Sequence, residues 1–204
     1  MKIICIGRNY AKHIEELRNE RPKEPVIFMK PDSAVVPKGN PLFLPDFSDE
    51  VHYETELVLR INRLGKHIPV EKAHQYYDAI GLGIDVTARD VQRQLKAKGL
   101  PWEKAKAFDF SAVVSREFIP VDAFDDLNDI DFSLKINGKA VQQGNSEHML
   151  WKFDELVAYV SKFFTLRTGD LIFTGTPEGV GRLERDMILE GFIGDKSMFK
   201  IRVK

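Results

Sequence analysis

The order of apolar and polar positions divides the chain into short strands and short amphipathic helices. Lys2 to Ile6 reads as an apolar strand that Gly7-Arg8-Asn9 breaks. From Tyr10 to Glu20, the residues Tyr10, Ile14 and Leu17 recur at i, i+4 and i+7, the spacing of one helical face, and His13 and Glu16 fall three apart on one side of that helix. Pro22 and Pro25 end it. Val26 to Met29 reads as a strand, and the proline-bounded stretch from Pro31 to Pro45 as a long constrained connection with one short strand at Leu42 to Leu44. A strand from Tyr53 to Ile61, a turn at Asn62 to Lys66, a short helix over Glu71 to Tyr77 and a glycine-rich strand over Ala79 to Thr87 follow. Asp90 to Lys98 is helical, closed by Gly99 and Pro101. Trp102 to Phe110 mixes aromatic and basic residues and reads by default as a surface loop, after which Val113-Val114 begins a strand. Phe132 to Ile136, Asn137-Gly138 and Lys139 to Gln142 spell a hairpin with a type I′ turn. A helix over Phe153 to Phe164, a strand at Leu171 to Phe173, the loop Thr174 to Gly181 and strands near Asp186 to Leu189 and Met198 to Val203 follow. Helices and strands do not alternate regularly, so the pattern predicts an α+β fold with a largely β core, unlike a doubly wound sheet.

Composition narrows the function classes. A chain of 204 residues without repeats, low-complexity segments or a linker fits one domain, 1–204, and a fold of this size buries about 70% of its unfolded surface. Hydrophobic residues make up 43%, charged residues 30%, and the net charge is −1. That balance argues against disorder and against a polyanion-binding surface, so no nucleic acid partner is expected. The single cysteine, Cys5, has no internal partner and sits in an apolar strand pattern, which points to a reduced, cytoplasmic protein. The apolar run after Met1-Lys2 is too short for a secretory segment, and no later run approaches the ~20 residues that span a bilayer. No membrane partner is expected.

Within the strand Tyr53 to Ile61 the alternation places Glu54 and Glu56 on one face, about 7 Å apart, with Thr55, Leu57 and Leu59 on the other. Two carboxylates that close repel, and desolvating them demands a counter-charge. Asp85 is a lone acid near the end of an apolar strand and has the same need. Glu54, Glu56 and Asp85 together offer an all-oxygen ligand set suited to Mg²⁺, with Mn²⁺ and Ca²⁺ as alternatives, and a nearby lysine would balance the remaining negative charge. The spacing fits a solvated sheet face paired with lysines as well as it fits a metal site. His52 shares the parity of Glu54 and Glu56 and is a candidate fourth ligand. His148, next to Glu147, is a candidate that could approach the site, while His67 and His74 read as surface residues. His13 and Glu16 read, on spacing alone, as part of a solvated helical face. The loop Thr174 to Gly181 lacks the Gly-Lys-Ser/Thr ending of a P-loop and the dinucleotide glycine spacing, so its N–H groups and hydroxyls suit a carboxylate better than a nucleotide.

Five ordered motifs then carry a resemblance across nearly the whole chain. They are Gly7-Arg8-Asn9-Tyr10 with His13; His52-Tyr53-Glu54-Thr55-Glu56-Leu57; Gly83-Ile84-Asp85-Val86-Thr87-Ala88-Arg89-Asp90-Val91-Gln92; Gly99-Leu100-Pro101-Trp102 with Lys106; and Thr174-Gly175-Thr176-Pro177 with Gly179-Val180-Gly181. Together they resemble the fumarylacetoacetate hydrolase family, in its short, single-domain acylpyruvase form. The resemblance implies a mixed β-roll or β-sandwich core, a homodimer, and Mg²⁺ or Mn²⁺ held by Glu54, Glu56 and Asp85. It also implies that Lys106 faces the substrate oxygens. His13 and Glu16 would form a water-activating dyad on a lid helix over residues 10–20. Arg8, Gln92 and Thr176 would line the substrate site, Thr176 near a substrate carboxylate. The implied reaction is metal-dependent hydrolysis of a C–C bond in a fumarylpyruvate- or acetylpyruvate-like 2,4-dioxo acid through an enolate. Isomerisation of a 2-hydroxyhepta-2,4-diene-1,7-dioate in aromatic catabolism, decarboxylation of oxaloacetate and a non-catalytic metal-stabilised binding module are the alternatives.

Overall fold

The computed structural model describes residues 1–16 and 20–204. Among these residues the strands form three sheets. The largest has seven strands in the order β2 (Val26–Lys30), β1 (Ile3–Gly7), β11 (Leu171–Phe173), β4 (Thr55–Ile61), β5 (Tyr77–Asp85) and β7 (Ala112–Val114), with β8 (Ile119–Pro120) also on β5. It is mixed: β1 pairs with β11 in parallel, and its other pairs are antiparallel. A four-stranded sheet runs β10 (Lys139–Asn145), β9 (Asp131–Ile136), β13 (Ile188–Ile193) and β14 (Lys196–Arg202). A three-stranded sheet runs β12 (Gly181–Arg182), β3 (Val51–Tyr53) and β6 (Thr87–Ala88). The helices are α1 (Ala11–Glu16), α2 (Arg89–Ala97), α3 (Glu103–Lys106) and α4 (Phe153–Phe163). This is the expected α+β fold with a curled β core, and no described helix is long and apolar enough to cross a membrane.

Alternation along the central strands decides which side chains meet. Leu57, Leu59 and Ile61 of β4 join Ile4, Ile6, Ile80 and Leu82 in the main core, which Phe132 and the α4 residues Phe153, Leu156, Val157 and Val160 complete. The opposite face of the same strands carries a smaller cluster of Val58, Ile3, Cys5 and Phe173. A sheet buried on both faces has no room for side chains everywhere. A Cβ on Gly83 would lie 2.6 Å from the Phe173 ring, so β5 needs a glycine there. The space next to Gly83 is where the acids of the site gather.

The structure departs from the sequence expectations at several places. The stretch Tyr53 to Ile61 is two strands, β3 and β4, that part at Glu54. Leu42 to Leu44 is no strand but an edge contact, with Leu42 N–H donating to Arg202 O and Leu44 N–H to Lys204 O. Glu71 to Tyr77 is a 3₁₀ helix over Val70–Gln75, entered from Pro69. Trp102 to Phe110 contains α3, whose Ala105 and Lys106 are buried, so it is not a surface loop. The hairpin turn has both central residues at positive φ, 50° at Asn137 and 81° at Gly138, as a type I′ turn requires. The helix expected over Tyr10 to Glu20 is seen as α1, and its Leu17 position lies outside the described residues.

Candidate active site

Register brings the three acids together. In the β4·β5 ladder Glu56 stands opposite Gly83, and the Asp85 N–H donates to Glu54 O at 2.8 Å, so Glu54 and Asp85 are cross-strand neighbours with Glu56 one step along the same face. One oxygen from each carboxylate lies within 4.8 Å of the others. All three side chains are buried.

Three cations close around this cluster. Lys106, from α3, donates to Glu54 Oε2 at 2.8 Å, Asp85 Oδ2 at 2.6 Å and Thr87 Oγ1 at 2.6 Å. Arg89, the first residue of α2, pairs with Glu54 Oε1 and donates to Gln92 Oε1 at 2.6 Å. Lys30, the last residue of β2, bonds to Lys106 O and stands 2.8 Å from Asp85 Oδ1. That ion pair falls outside hydrogen-bonding geometry, so Asp85 Oδ1 has charge compensation from Lys30 without a directed hydrogen bond. Glu56 is compensated least: the Gly175 N–H donates to its Oε2 at 2.7 Å, and no described cation forms an ion pair with it. Gly175 reaches this position at φ +100, where a Cβ would meet Asn9 Cβ at 2.7 Å.

The electrostatics follow. Burial penalises the Glu54 charge, but Lys106 and Arg89 outweigh burial and hold its carboxyl well below the ordinary range. Burial pushes the Glu56 carboxyl well above it, and the neighbouring Asp85 and Glu54 charges add to the shift. Lys106 loses by burial but gains more from Asp85 and Glu54, so its ammonium is held more firmly than usual. The site therefore contains one carboxyl without a cation partner among the described residues, a second with an oxygen that lacks a directed hydrogen bond, and only oxygen ligands. These features fit a hard divalent cation on Glu54, Glu56 and Asp85.

The remaining expected residues surround a cleft of about 460 Å³, measured with its open mouth, which Arg8, His13, Gln92, Thr176 and Lys106 line together with the three acids. His13 is buried, and its Nδ1 is 3.2 Å from Glu16 Oε2, while Glu16 Oε1 accepts from the Gly179 N–H at 3.1 Å. Burial lowers the His13 pKa despite the opposing pull of Glu54 and Glu16. Gln92 spends its carbonyl on Arg89 and keeps its amide N–H₂ for the cleft. Thr176 lines the cleft, with its hydroxyl engaged inside the protein. Its hydroxyl proton goes to Thr55 O at 2.9 Å and its oxygen accepts from Gln142 Nε2 at 2.9 Å, so that hydroxyl has no proton left for a substrate carboxylate. His52 is not gathered into the cluster: its Nε2 faces Glu50 at 3.0 Å. His148 is 57% exposed beside Glu147 and does not line the cleft.

Sequence reasoning gave no role to four residues that build this site. Lys30 and Arg89 complete the ion network. Asn9 is wholly buried and donates to Thr174 O at 2.8 Å and Trp151 O at 3.1 Å while accepting from Trp151 N at 2.9 Å, tying the start of α1 to the Thr174 loop. Gln142 accepts from Thr55 N at 3.0 Å and holds Thr176 and Pro177 O. Lys30, the lone charge closing the apolar run Val26 to Met29, carried a signal that could have been read.

Comparison with known proteins agrees with this geometry. The model for the fumarylacetoacetate (FAA) hydrolase C-terminal family matches residues 2–201. The chain is 43% identical to the mitochondrial oxaloacetate tautomerase FAHD1 of Mus musculus over 202 residues, covering 98% of this chain and 91% of the relative. It is 44% identical to the oxaloacetate tautomerase YcgM of Escherichia coli over 184 residues, covering 90% and 84%. The crystal structure of fumarylpyruvate hydrolase from Pseudomonas aeruginosa in complex with Mn²⁺ and pyruvate superposes with a TM-score of 0.93 at 38% identity, covering 100% of this chain and 89% of that one. The chain belongs to the fumarylacetoacetate hydrolase C-terminal family.

Proposed function

We propose that this chain is an enzyme that forms and reprotonates the enol of a short 2-oxo acid, with keto–enol interconversion of oxaloacetate as its reaction. The observation that carries the reading is the buried Lys106 ammonium, bonded to Glu54 and Asp85, in a cleft that the buried His13 also lines. A structural ion pair needs no imidazole beside it, and a binding module gains nothing from burying one. The oxaloacetate tautomerases at 43% and 44% identity support the choice of substrate.

A divalent cation, Mg²⁺ or Mn²⁺ with Ca²⁺ as a substitute, held by Glu54, Glu56 and Asp85, would supply Lewis-acid stabilisation to the keto oxygen. Lys106 places positive charge where the oxyanion develops. Gln92 and Arg8 orient the substrate carboxylate. His13, neutral because burial lowers its pKa, takes a proton from C3 and returns it. In the ketonising direction neutral His13 takes the proton that the enol oxygen loses, the imidazolium so formed gives it to C3, and the imidazole ends neutral, so the balance closes. Glu16 holds the imidazole orientation and is itself fixed by the Gly179 N–H. α1 acts as a lid that closes the cleft and excludes water. We expect the enzyme to act as a cytoplasmic homodimer.

The His13–Glu16 pair also favours a second reading, C–C hydrolysis of an acylpyruvate, because the same base would activate water against a distal carbonyl. The test is a Mg²⁺-supplemented panel of oxaloacetate enol, acetylpyruvate, fumarylpyruvate and 2-hydroxyhepta-2,4-diene-1,7-dioate. Accelerated loss of enol absorbance without pyruvate release is the expected result. Pyruvate release from an acylpyruvate, with slow tautomerisation, selects the second reading. Absence of turnover on all four refutes both.

A further inference from the structure

Thr55 stands between Glu54 and Glu56, and its main chain faces a gap in the large sheet. Because the Asp85 N–H donates to Glu54 O, the Thr55 N–H and C=O point away from β5, toward the side on which β11 runs. There β11 ends at Phe173, Thr174 N–H donates to Leu57 O at 3.1 Å, and Gly175 turns the chain away at φ +100. Two side chains take the place of the strand that is missing beside Thr55. Gln142 Oε1 accepts from the Thr55 N–H at 3.0 Å, Thr176 Oγ1 donates to Thr55 O at 2.9 Å, and Gln142 Nε2 donates to Thr176 Oγ1 at 2.9 Å, which closes a ring. The other Nε2 proton goes to Pro177 O at 3.1 Å, so this buried amide spends both protons inside the protein.

A β-bulge aims Gln142 at this gap. In the β9·β10 ladder Ala140 stands opposite Lys135, but Gln142 stands opposite Leu134, so Val141 is an extra residue. A regular register would have put Val141 opposite buried Leu134 and turned Gln142 to the other face; the bulge sends the amide inward instead. The Thr174 to Gly181 loop packs directly on it. A Cβ on Gly179, at φ +93, would meet Val141 O at 2.7 Å and Gln142 Cγ at 3.3 Å. We infer that Gln142 is a positioning residue for the metal site: by holding the Thr55 peptide it sets the spacing of the Glu54 and Glu56 carboxylates. The inference rests on the reading of those acids as metal ligands. Without the amide the buried Thr55 N–H has no partner and the strand is free to shift. Such a shift harms Mg²⁺ most, because it demands near-ideal octahedral geometry, whereas Ca²⁺ accepts flexible coordination.

The experiment is titration calorimetry of the full chain, stripped with chelator, against Mg²⁺ and Ca²⁺ separately, with thermal melts in chelator alongside. Gln142→Met, close in volume but without the amide, should raise the Mg²⁺ Kd about 10-fold or more and the Ca²⁺ Kd about 3-fold or less. Thr176→Val removes the hydroxyl of the ring and leaves the bulge and the amide in place; it should move the ratio of the two affinities in the same direction, and it decides the matter if Gln142→Met does not fold. A lower Tm with both Kd values unchanged would mark a purely structural role and overturn the inference, as would an equal loss of both cations. A wild type that binds neither cation would overturn the metal reading and this inference together. A shifted cation ratio in a chain that does not tautomerise oxaloacetate would sink the proposed reaction and leave the role of Gln142 standing.

Discussion

Neutralising Glu54 and neutralising Glu56 should change stability in opposite directions, although the two residues share one face. Glu56 is buried with a single donor, Gly175 N–H, and its carboxyl pKa is raised by burial and by Asp85 and Glu54. A raised carboxyl pKa means that the folded state binds the proton more tightly than the unfolded state. The stability Glu56 contributes is therefore present at low pH and lost as pH rises from the unfolded value through the folded one. At neutral pH the metal-free protein carries the cost of an acid whose charge its surroundings disfavour. Glu56→Gln removes that charge and keeps an acceptor for Gly175, so it should stabilise the metal-free protein by about 1–3 kcal/mol, or raise Tm by about 2–12 °C. Glu54 is bonded to both Lys106 and Arg89. Its depressed pKa gives stability that is present above the unfolded pKa and lost as pH falls through the folded one. Glu54→Gln takes the carboxylate from buried Arg89 and leaves buried Lys106 with Asp85 alone, and should cost about 3–5 kcal/mol, or about 6–20 °C. Thermal melts at neutral pH in a chelator read both effects. Mg²⁺ at 100 times its Kd should then stabilise the wild type by about 2.7 kcal/mol and each variant by much less. A Glu56→Gln protein that melts well below wild type in chelator would refute the uncompensated charge, and an undiminished Mg²⁺ response would refute the ligand assignment.

Other expectations are equally direct. Lys106→Ala should lower kcat on a verified substrate by about 10²-fold or more, as loss of an oxyanion donor does, and stopped-flow assays read it. His13 has a pKa below the ordinary 6.5, so the folded state binds fewer protons than the unfolded state, and the stability it contributes is lost as pH falls. The acid limb of kcat/KM should accordingly lie below pH 6.5 and disappear in His13→Gln. Asn9→Ala removes three buried hydrogen bonds and should cost about 2–4 kcal/mol in urea unfolding.

The sequence made the acids legible because each broke a local rule: Glu54 and Glu56 repeated at period two inside a strand, and Asp85 closed an apolar run. Their convergence was not legible, since it depends on the β4·β5 register and on the missing side chain of Gly83. The strongly patterned elements, β1, β5, α2, α4 and the β9–β10 hairpin, were predictable because their periodicity and their packing agree. The stretch Trp102 to Phe110 was misread because four helical residues, Glu103–Lys106, are too few to show a period. Ala105 and Lys106 are buried by the packing of α3 on β2 and β6. Lys106 reads as a surface lysine until those strands are in place. Thr176 was singled out by the resemblance and lies in the cleft lining, but the engagement of its hydroxyl with Thr55 and Gln142 was not legible in the sequence. Gln142 and Asn9 act across 87 and 142 residues of chain, separations that no local pattern encodes.

The most direct test of the central claim is hydrogen–deuterium exchange at C3 of oxaloacetate in D₂O, followed by proton NMR with the wild-type chain and Glu56→Gln. The account predicts Mg²⁺-dependent exchange by the wild type, well above the rate without enzyme, and its loss both in a chelator and in Glu56→Gln. Exchange that persists in Glu56→Gln, or no acceleration by the Mg²⁺-supplemented wild type, would contradict it.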